Sequence, residues 1–164
     1  MLILLQSMDS KFSYPEVLKK MEYYCAYQER CHYEIYEKSK AFSLTHQERD
    51  ELMVYLIDHN FLNEERFAKS FVRGKHEYKK WGKVRLANEL KSRKITPTLI
   101  QIALKELDDD KYLDTFNYVA EKIWETTIEK NFLKKRKKCC DFLLRRGFES
   151  DWVYEKIKEL ENKK

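Results

Sequence analysis

The residues best suited to chemistry lie in the middle of this 164-residue chain. Lys75, Lys79, Lys80 and Lys83 surround Tyr78 and Trp81. Cations interleaved with aromatic rings suit a phosphate backbone whose bases stack on the rings. Arg66 and Arg73 precede this cluster. Arg85, Asn88 and Ser92 follow at helical spacing, on the polar face of a Lys83–Lys94 helix opposite Leu86, Ala87 and Leu90. A second basic run, Lys134, Lys135, Arg136, Lys137 and Lys138, backs a helix whose other side holds Leu133, Cys140, Leu143 and Leu144.

The charge is segregated. Residues 66–94 carry a net +9 and residues 130–146 a net +7, in a chain whose total is only +5. The remainder is therefore strongly acidic, and the two blocks form an electrostatic footprint for a polyanionic or acidic partner. They come from consecutive parts of the chain and can join into one stripe. The competing explanation is a set of solvated helix faces, with Trp81 packed between helices and Arg66 paired to a carboxylate such as Glu65.

Catalytic and metal chemistry have no comparable support. His32, His46, His59 and His76 share no ligand spacing, and no nucleophile elbow, phosphate-cradling glycine loop or metalloprotease helix occurs. Cys139 and Cys140 are adjacent within a helical pattern, far from Cys25 and Cys31, which fits reduced thiols better than zinc. The expectation is a non-enzymatic, cytoplasmic monomer with no cofactor. No membrane partner is expected, because the one N-terminal apolar run, Leu2 to Leu5, is too short to span a bilayer and lacks a basic flank.

The elements that position these residues repeat. Leu44, Ile95 and Phe148 lie 51 and 53 residues apart. Nine residues before them stand Ile35, Leu86 and Cys139, nine after stand Met53, Leu104 and Ile157, and twelve after stand Leu56, Leu107 and Leu160. Polar residues follow each as caps: Thr45 (with Glu48), Thr96 (before Pro97) and Ser150. A further apolar stripe precedes each pair of helices, the first opened by Ser13 and Glu16. With three Gly and two Pro in the chain, helices are rarely interrupted. The expected fold is all-α: three tandem three-helix, helix-turn-helix-like repeats over 14–60, 61–107 and 108–161, forming an elongated, curved array.

The stretch Phe61-Leu62-Asn63-Glu64-Glu65-Arg66-Phe67-Ala68 is the most diagnostic, followed by Gly74-Lys75, Lys79-Lys80-Trp81-Gly82-Lys83, Leu86, Glu89-Leu90 and Ile95. With the three-unit layout, this resembles the RecX family, regulators of the RecA recombinase, over about residues 14 to 161. The sequence departs from the family at Arg30–Ile35 and at the turns, where the family's frequent Gly is Ser43 in the first unit and Lys94 in the second, and only Gly147 keeps it. The resemblance implies a protein that binds RecA in the groove of its single-stranded-DNA filament. It further implies inhibition of ATP hydrolysis, filament growth and strand exchange in recombination and repair, with direct contact to single- or double-stranded DNA in some members. Phe61, Leu62, Phe67, Trp81, Gly82, Leu90, Ile95, Gly147 and Phe148 then read as scaffold. The partner surface falls to Arg66, Arg73, Lys75, Lys79, Lys80, Lys83, Arg85, Asn88, Lys134, Lys135, Arg136 and Lys138. The alternative is a stand-alone helical nucleic-acid-binding protein using the basic stripe alone.

Overall fold

A computed structural model describes residues 12–163, so the Leu2–Leu5 run lies outside the described residues. Every regular element among them is a helix: α1 (Tyr14–Tyr27), α2 (His32–Ser39), α3 (His46–Asp58), α4 (Glu64–Lys79), α5 (Lys83–Ser92), α6 (Pro97–Leu104), α7 (Asp109–Thr126), α8 (Phe132–Arg146) and α9 (Ser150–Asn162). No helix among them is long and apolar enough to cross a membrane.

Local chemistry sets most helix starts. Thr45 and Glu48 cap α3 reciprocally: the Thr45 amide donates to the Glu48 carboxylate at 2.7 Å, and the Glu48 amide donates to Thr45 Oγ1 at 3.2 Å. The Glu16 carboxylate accepts from the Ser13 amide at 2.8 Å. Thr96 caps α6, with Pro97 as its first helical residue. The third cap differs from expectation. Glu149, not Ser150, is the extended N-cap residue of α9. Its carboxylate is engaged by the Tyr112 hydroxyl at 2.6 Å, which holds the backbone at this residue and leaves Ser150 inside the first turn.

The helices fall into two compact bodies, one ending at Glu64 and the other beginning at Glu65. In the first, α1, α2 and α3 enclose Val17, Met21, Cys25, Ile35, Leu44, Leu52, Leu56 and Leu62, with Phe61 packed against the cluster. Leu62 reaches this core because its amide bonds the Leu56 carbonyl at 2.9 Å, folding the chain back after Asn60, whose φ is 58°. The Phe61–Ala68 block is thus divided. Phe61 and Leu62 complete the first core, while Phe67 and Ala68 are buried on α4 in the second body.

In the second body, Phe67, Val72, Leu86, Leu90 and Ile95 are buried from α4, α5 and the turn after it. Tyr112, Phe116, Phe148 and Trp152 form an aromatic cluster with ring centroids 5.2–5.9 Å apart. The repeat positions Ile35, Leu86 and Cys139 are all buried, as are Leu44, Ile95 and Phe148. Nine residues on, Met53 and Leu104 are only half-buried, because Leu52 and Ala103 take the innermost places on α3 and α6.

The four cysteines are buried, and burial pushes the thiols of Cys31, Cys139 and Cys140 up from the ordinary value. Among the described residues no group of His, Cys, Asp or Glu is arranged to hold a metal ion.

Candidate partner-binding surface

The start of α5 shows how the second body is built. Gly82, its N-cap residue, offers no side-chain cap. The first amides of a helix have no intrahelical acceptors and need outside ones. Here all three come from later in the chain. Gly82 N–H donates to the Arg146 carbonyl at 2.8 Å, Lys83 N–H to the Tyr112 hydroxyl at 3.0 Å, and Val84 N–H to the Gly147 carbonyl at 3.0 Å. The Tyr112 hydroxyl donates its own proton to Glu149. Burial and this carboxylate push the phenol far above its ordinary value, so it remains a donor.

The end of α8 therefore abuts the start of α5, and the carbonyls of Arg146 and Gly147 accept from amides that have no acceptor within α5. Gly82 and Gly147 permit the approach. A Cβ on Gly82 would lie 2.2 Å from the Gly147 carbonyl oxygen, and one on Gly147 would lie 2.2 Å from Arg85 Cβ and 2.4 Å from its amide nitrogen. His76 closes the same corner: a carbonyl can only accept, so its Nδ1 carries the proton donated to the Trp81 carbonyl at 2.9 Å.

This junction sorts the basic residues. Some have their charge met by a carboxylate. Arg73 pairs with Glu106 at 2.7 Å, Lys83 with Asp109 at 2.9 Å, Lys138 with Glu129 at 2.8 Å and Arg136 with Glu161 at 3.7 Å. Others lie over aromatic faces. The Arg85 guanidinium is 4.0 Å from the Trp81 ring centroid, Lys75 Nζ is 5.5 Å from the same ring, and Lys135 Nζ is 4.6 Å from that of Trp124. Trp81 is half-buried, with cations at its ring, rather than enclosed in the core. Arg66 is half-buried in the first turn of α4, while Lys134 and Asn88 are exposed.

The two basic blocks meet at one end only. Arg85 donates to the Arg145 carbonyl at 3.1 Å, and Arg146 donates to the Lys79 carbonyl. The Lys134–Lys138 run belongs to the opposite end of α8. Two clefts flank the meeting point. One is lined by Val84, Arg85, Asn88, Glu89, Ser92 and Arg145 among others, and its single carboxylate, Glu89, is tied to Arg93 at 2.9 Å. The other is lined by Lys80, Lys122, Arg146, Tyr118 and Phe142 among others, with no carboxylate in its wall. Lys80 sits there on a left-handed backbone, φ 53°.

Lys122, Arg145, Arg146 and Tyr118 were not among the candidates read from the sequence. A signal existed for Arg146: in the repeat register it matches Arg93, each two residues before the buried residue of the turn. Lys122 had none, since nothing local relates α7 to the end of α4.

These features define a class: an all-helical repeat protein of three-helix units, carrying a basic, aromatic-lined surface on α4, α5, α7 and α8. Known proteins of similar sequence give that class its family. Residues 63–104 match the second three-helix domain of RecX and residues 109–157 the third. The regulatory protein RecX of Vibrio campbellii is 31% identical over 121 residues, 74% of this chain and 76% of that protein. The chain belongs to the RecX family. The RecX protein of Lactobacillus gasseri is 26% identical over 82% of this chain, which spans only 51% of that relative. Among solved structures, RecX from Lactobacillus salivarius superposes with a TM-score of 0.76 at 23% identity, covering 90% of this chain and 96% of its own, a likeness of fold.

Proposed function

We propose that this chain binds the RecA–single-stranded-DNA filament and inhibits its ATP hydrolysis, growth and strand exchange, acting by binding and not by turnover. The observation that carries this reading is the cleft walled by Lys80, Lys122 and Arg146 beside Tyr118 and Phe142, without a carboxylate. Such a wall attracts phosphate or an acidic protein surface, and it occurs in a chain of the RecX family. The contact surface runs from Lys75, Lys79 and Lys80 across Arg85 and Asn88 to Arg145 and Arg146. Arg73, Lys83, Arg136 and Lys138 contribute less, because their charge is already met within the chain. The three units, 14–60, 61–107 and 108–161, act as one cytoplasmic monomer, and the matches to two successive RecX domains support that division of the latter two-thirds.

The test is RecA ATPase on single-stranded DNA, with RecA from the same source as this chain. Stoichiometric protein should lower the rate, and Lys80→Glu should raise the concentration needed by about tenfold. An unchanged rate in excess protein would sink the reading.

A further inference from the structure

The first body carries an aromatic surface of its own. Lys20, Tyr23, Tyr24 and Tyr27 stand at i, i+3, i+4 and i+7 on α1, so they share one face. Tyr24 leans on the core that holds Val17, Met21 and Cys25, while Tyr23 and Tyr27 turn outward from it. Lys38 of α2 and Phe42 of the following turn complete a cleft of about 310 Å³ whose wall contains no carboxylate.

Its two outer rings are open. Tyr23 is 73% exposed and Tyr27 75% exposed, one helical turn apart. The two rings stand side by side on the helix surface, each with its face open to a ligand. Neither ring stacks on another aromatic or beneath a cation among the described residues. Tyr24 between them is half-buried and already engaged: the Arg30 guanidinium lies 3.8 Å from its centroid and Lys38 Nζ 5.5 Å. Lys20 Nζ is held 4.4 Å over the Phe12 ring, which itself meets Phe42 edge-on. Lys20 and Lys38 thus share the cleft wall with the two open rings, and Arg30 stands against Tyr24 between them.

We propose that this cleft is a stacking site for single-stranded DNA, in which Tyr23 and Tyr27 take successive bases while Lys20, Lys38 and Arg30 meet the phosphates. Every base has a π-face, so two open tyrosines accept any sequence, and the surrounding cations supply the backbone attraction. A paired duplex hides its base faces and gains only the electrostatic part. The two lysines of the cleft wall attract phosphate, and the open tyrosine rings add stacking that nucleobases supply and an acidic protein surface does not. The choice of DNA over RNA rests on the proposed action at a DNA filament; the cleft itself lies outside the residues that match the RecX domain models.

The experiment uses the full chain without RecA, so its failure is distinct from a failure of the ATPase test. Fluorescence anisotropy of a labelled oligo-dT, titrated at several salt concentrations, reads the affinity. The double variant Tyr23→Ala/Tyr27→Ala should weaken binding at least tenfold with the salt slope unchanged, and Tyr23→Trp/Tyr27→Trp should retain it. Lys20→Gln/Lys38→Gln should flatten the slope of log affinity against log salt by about 0.7 for each phosphate no longer neutralised. Both tyrosines are exposed, so far-UV circular dichroism should be unaltered. Undiminished oligo-dT binding by the alanine variant overturns the proposal, as does equal binding of duplex and single strand or stronger binding of RNA of matching sequence. Loss of RecA inhibition with unchanged oligo-dT affinity would give the surface to a protein partner and also overturn it.

Discussion

Arg93-Lys94-Ile95 and Arg146-Gly147-Phe148 occupy the same place in two consecutive repeats. Both end a helix on a left-handed residue, φ 63° at Lys94 and 85° at Gly147. Both then return an amide to a carbonyl five residues back, Ile95 to Leu90 at 3.2 Å and Phe148 to Leu143 at 3.3 Å. One turn carries a lysine and the other cannot. Lys94 is exposed, and its side chain meets solvent. Gly147 is buried against the backbone of Arg85. Positive φ alone is therefore insufficient to demand glycine, since a lysine bears it at a modest cost. The close approach of another helix is what excludes a side chain. Ser43, at the corresponding place in the first body, is not left-handed, so there the same purpose is met by a different turn.

The contrast between the two turns is tested hardest at the glycines. Gly82→Ala or Gly147→Ala drives a Cβ into backbone that cannot yield, and should cost at least about 3 kcal/mol in urea denaturation of the second body. A cost below about 1 kcal/mol, the low end for overpacking, would mean that α5 and α8 separate easily. Next comes Tyr112→Phe, which strips Lys83 N–H of its acceptor and the Glu149 carboxylate of its donor. It should cost about 1–3 kcal/mol.

That difference should depend on pH in one direction. The folded protein holds the Tyr112 phenol neutral far above its ordinary value. The contribution is full below about pH 10, where the unfolded phenol begins to ionise, and is lost as pH rises further. The stability gap between the parent and Tyr112→Phe should therefore narrow above about pH 10, measured by denaturation at about pH 8 and about pH 11. A constant gap would remove Tyr112 from the coupling.

Smaller effects separate the two arginines. Arg146→Gln, beside the carboxylate-free cleft, should weaken RecA inhibition several-fold. Arg93→Gln should leave it unchanged, because Arg93 is bound to Glu89 and lies 4.9 Å from the Phe71 centroid. Equal effects would put the contact surface elsewhere. Last, Lys94→Gly should stabilise the protein by about 0.5–1 kcal/mol by relieving the left-handed backbone, whereas no substitution at Gly147 should do so.

The fold was largely readable because its signals are local. Cap residues such as Thr45 and Thr96 bond amides three residues away, and the apolar repeat reports one face of each helix. The candidate surface was less readable because charge is neutralised across long sequence distances. Nothing near Lys83 announces Asp109, and nothing near Arg136 announces Glu161. Trp81 carries no local mark distinguishing a packed indole from one half-exposed beneath Arg85. Ser150 misled as a cap because its competitor, Glu149, gains its partner from α7, thirty-seven positions earlier.

The missing cap on α5 also bears on the order in which the protein acquires its structure during synthesis. Three consecutive amides, from Gly82 to Val84, find acceptors only in Tyr112, Arg146 and Gly147. While the ribosome has delivered the chain only as far as α6, the head of α5 has water alone to bond. It becomes fixed only once α8 has emerged, so the first turn of α5 should gain protection against hydrogen exchange no earlier than α8 does, although it is made well before it.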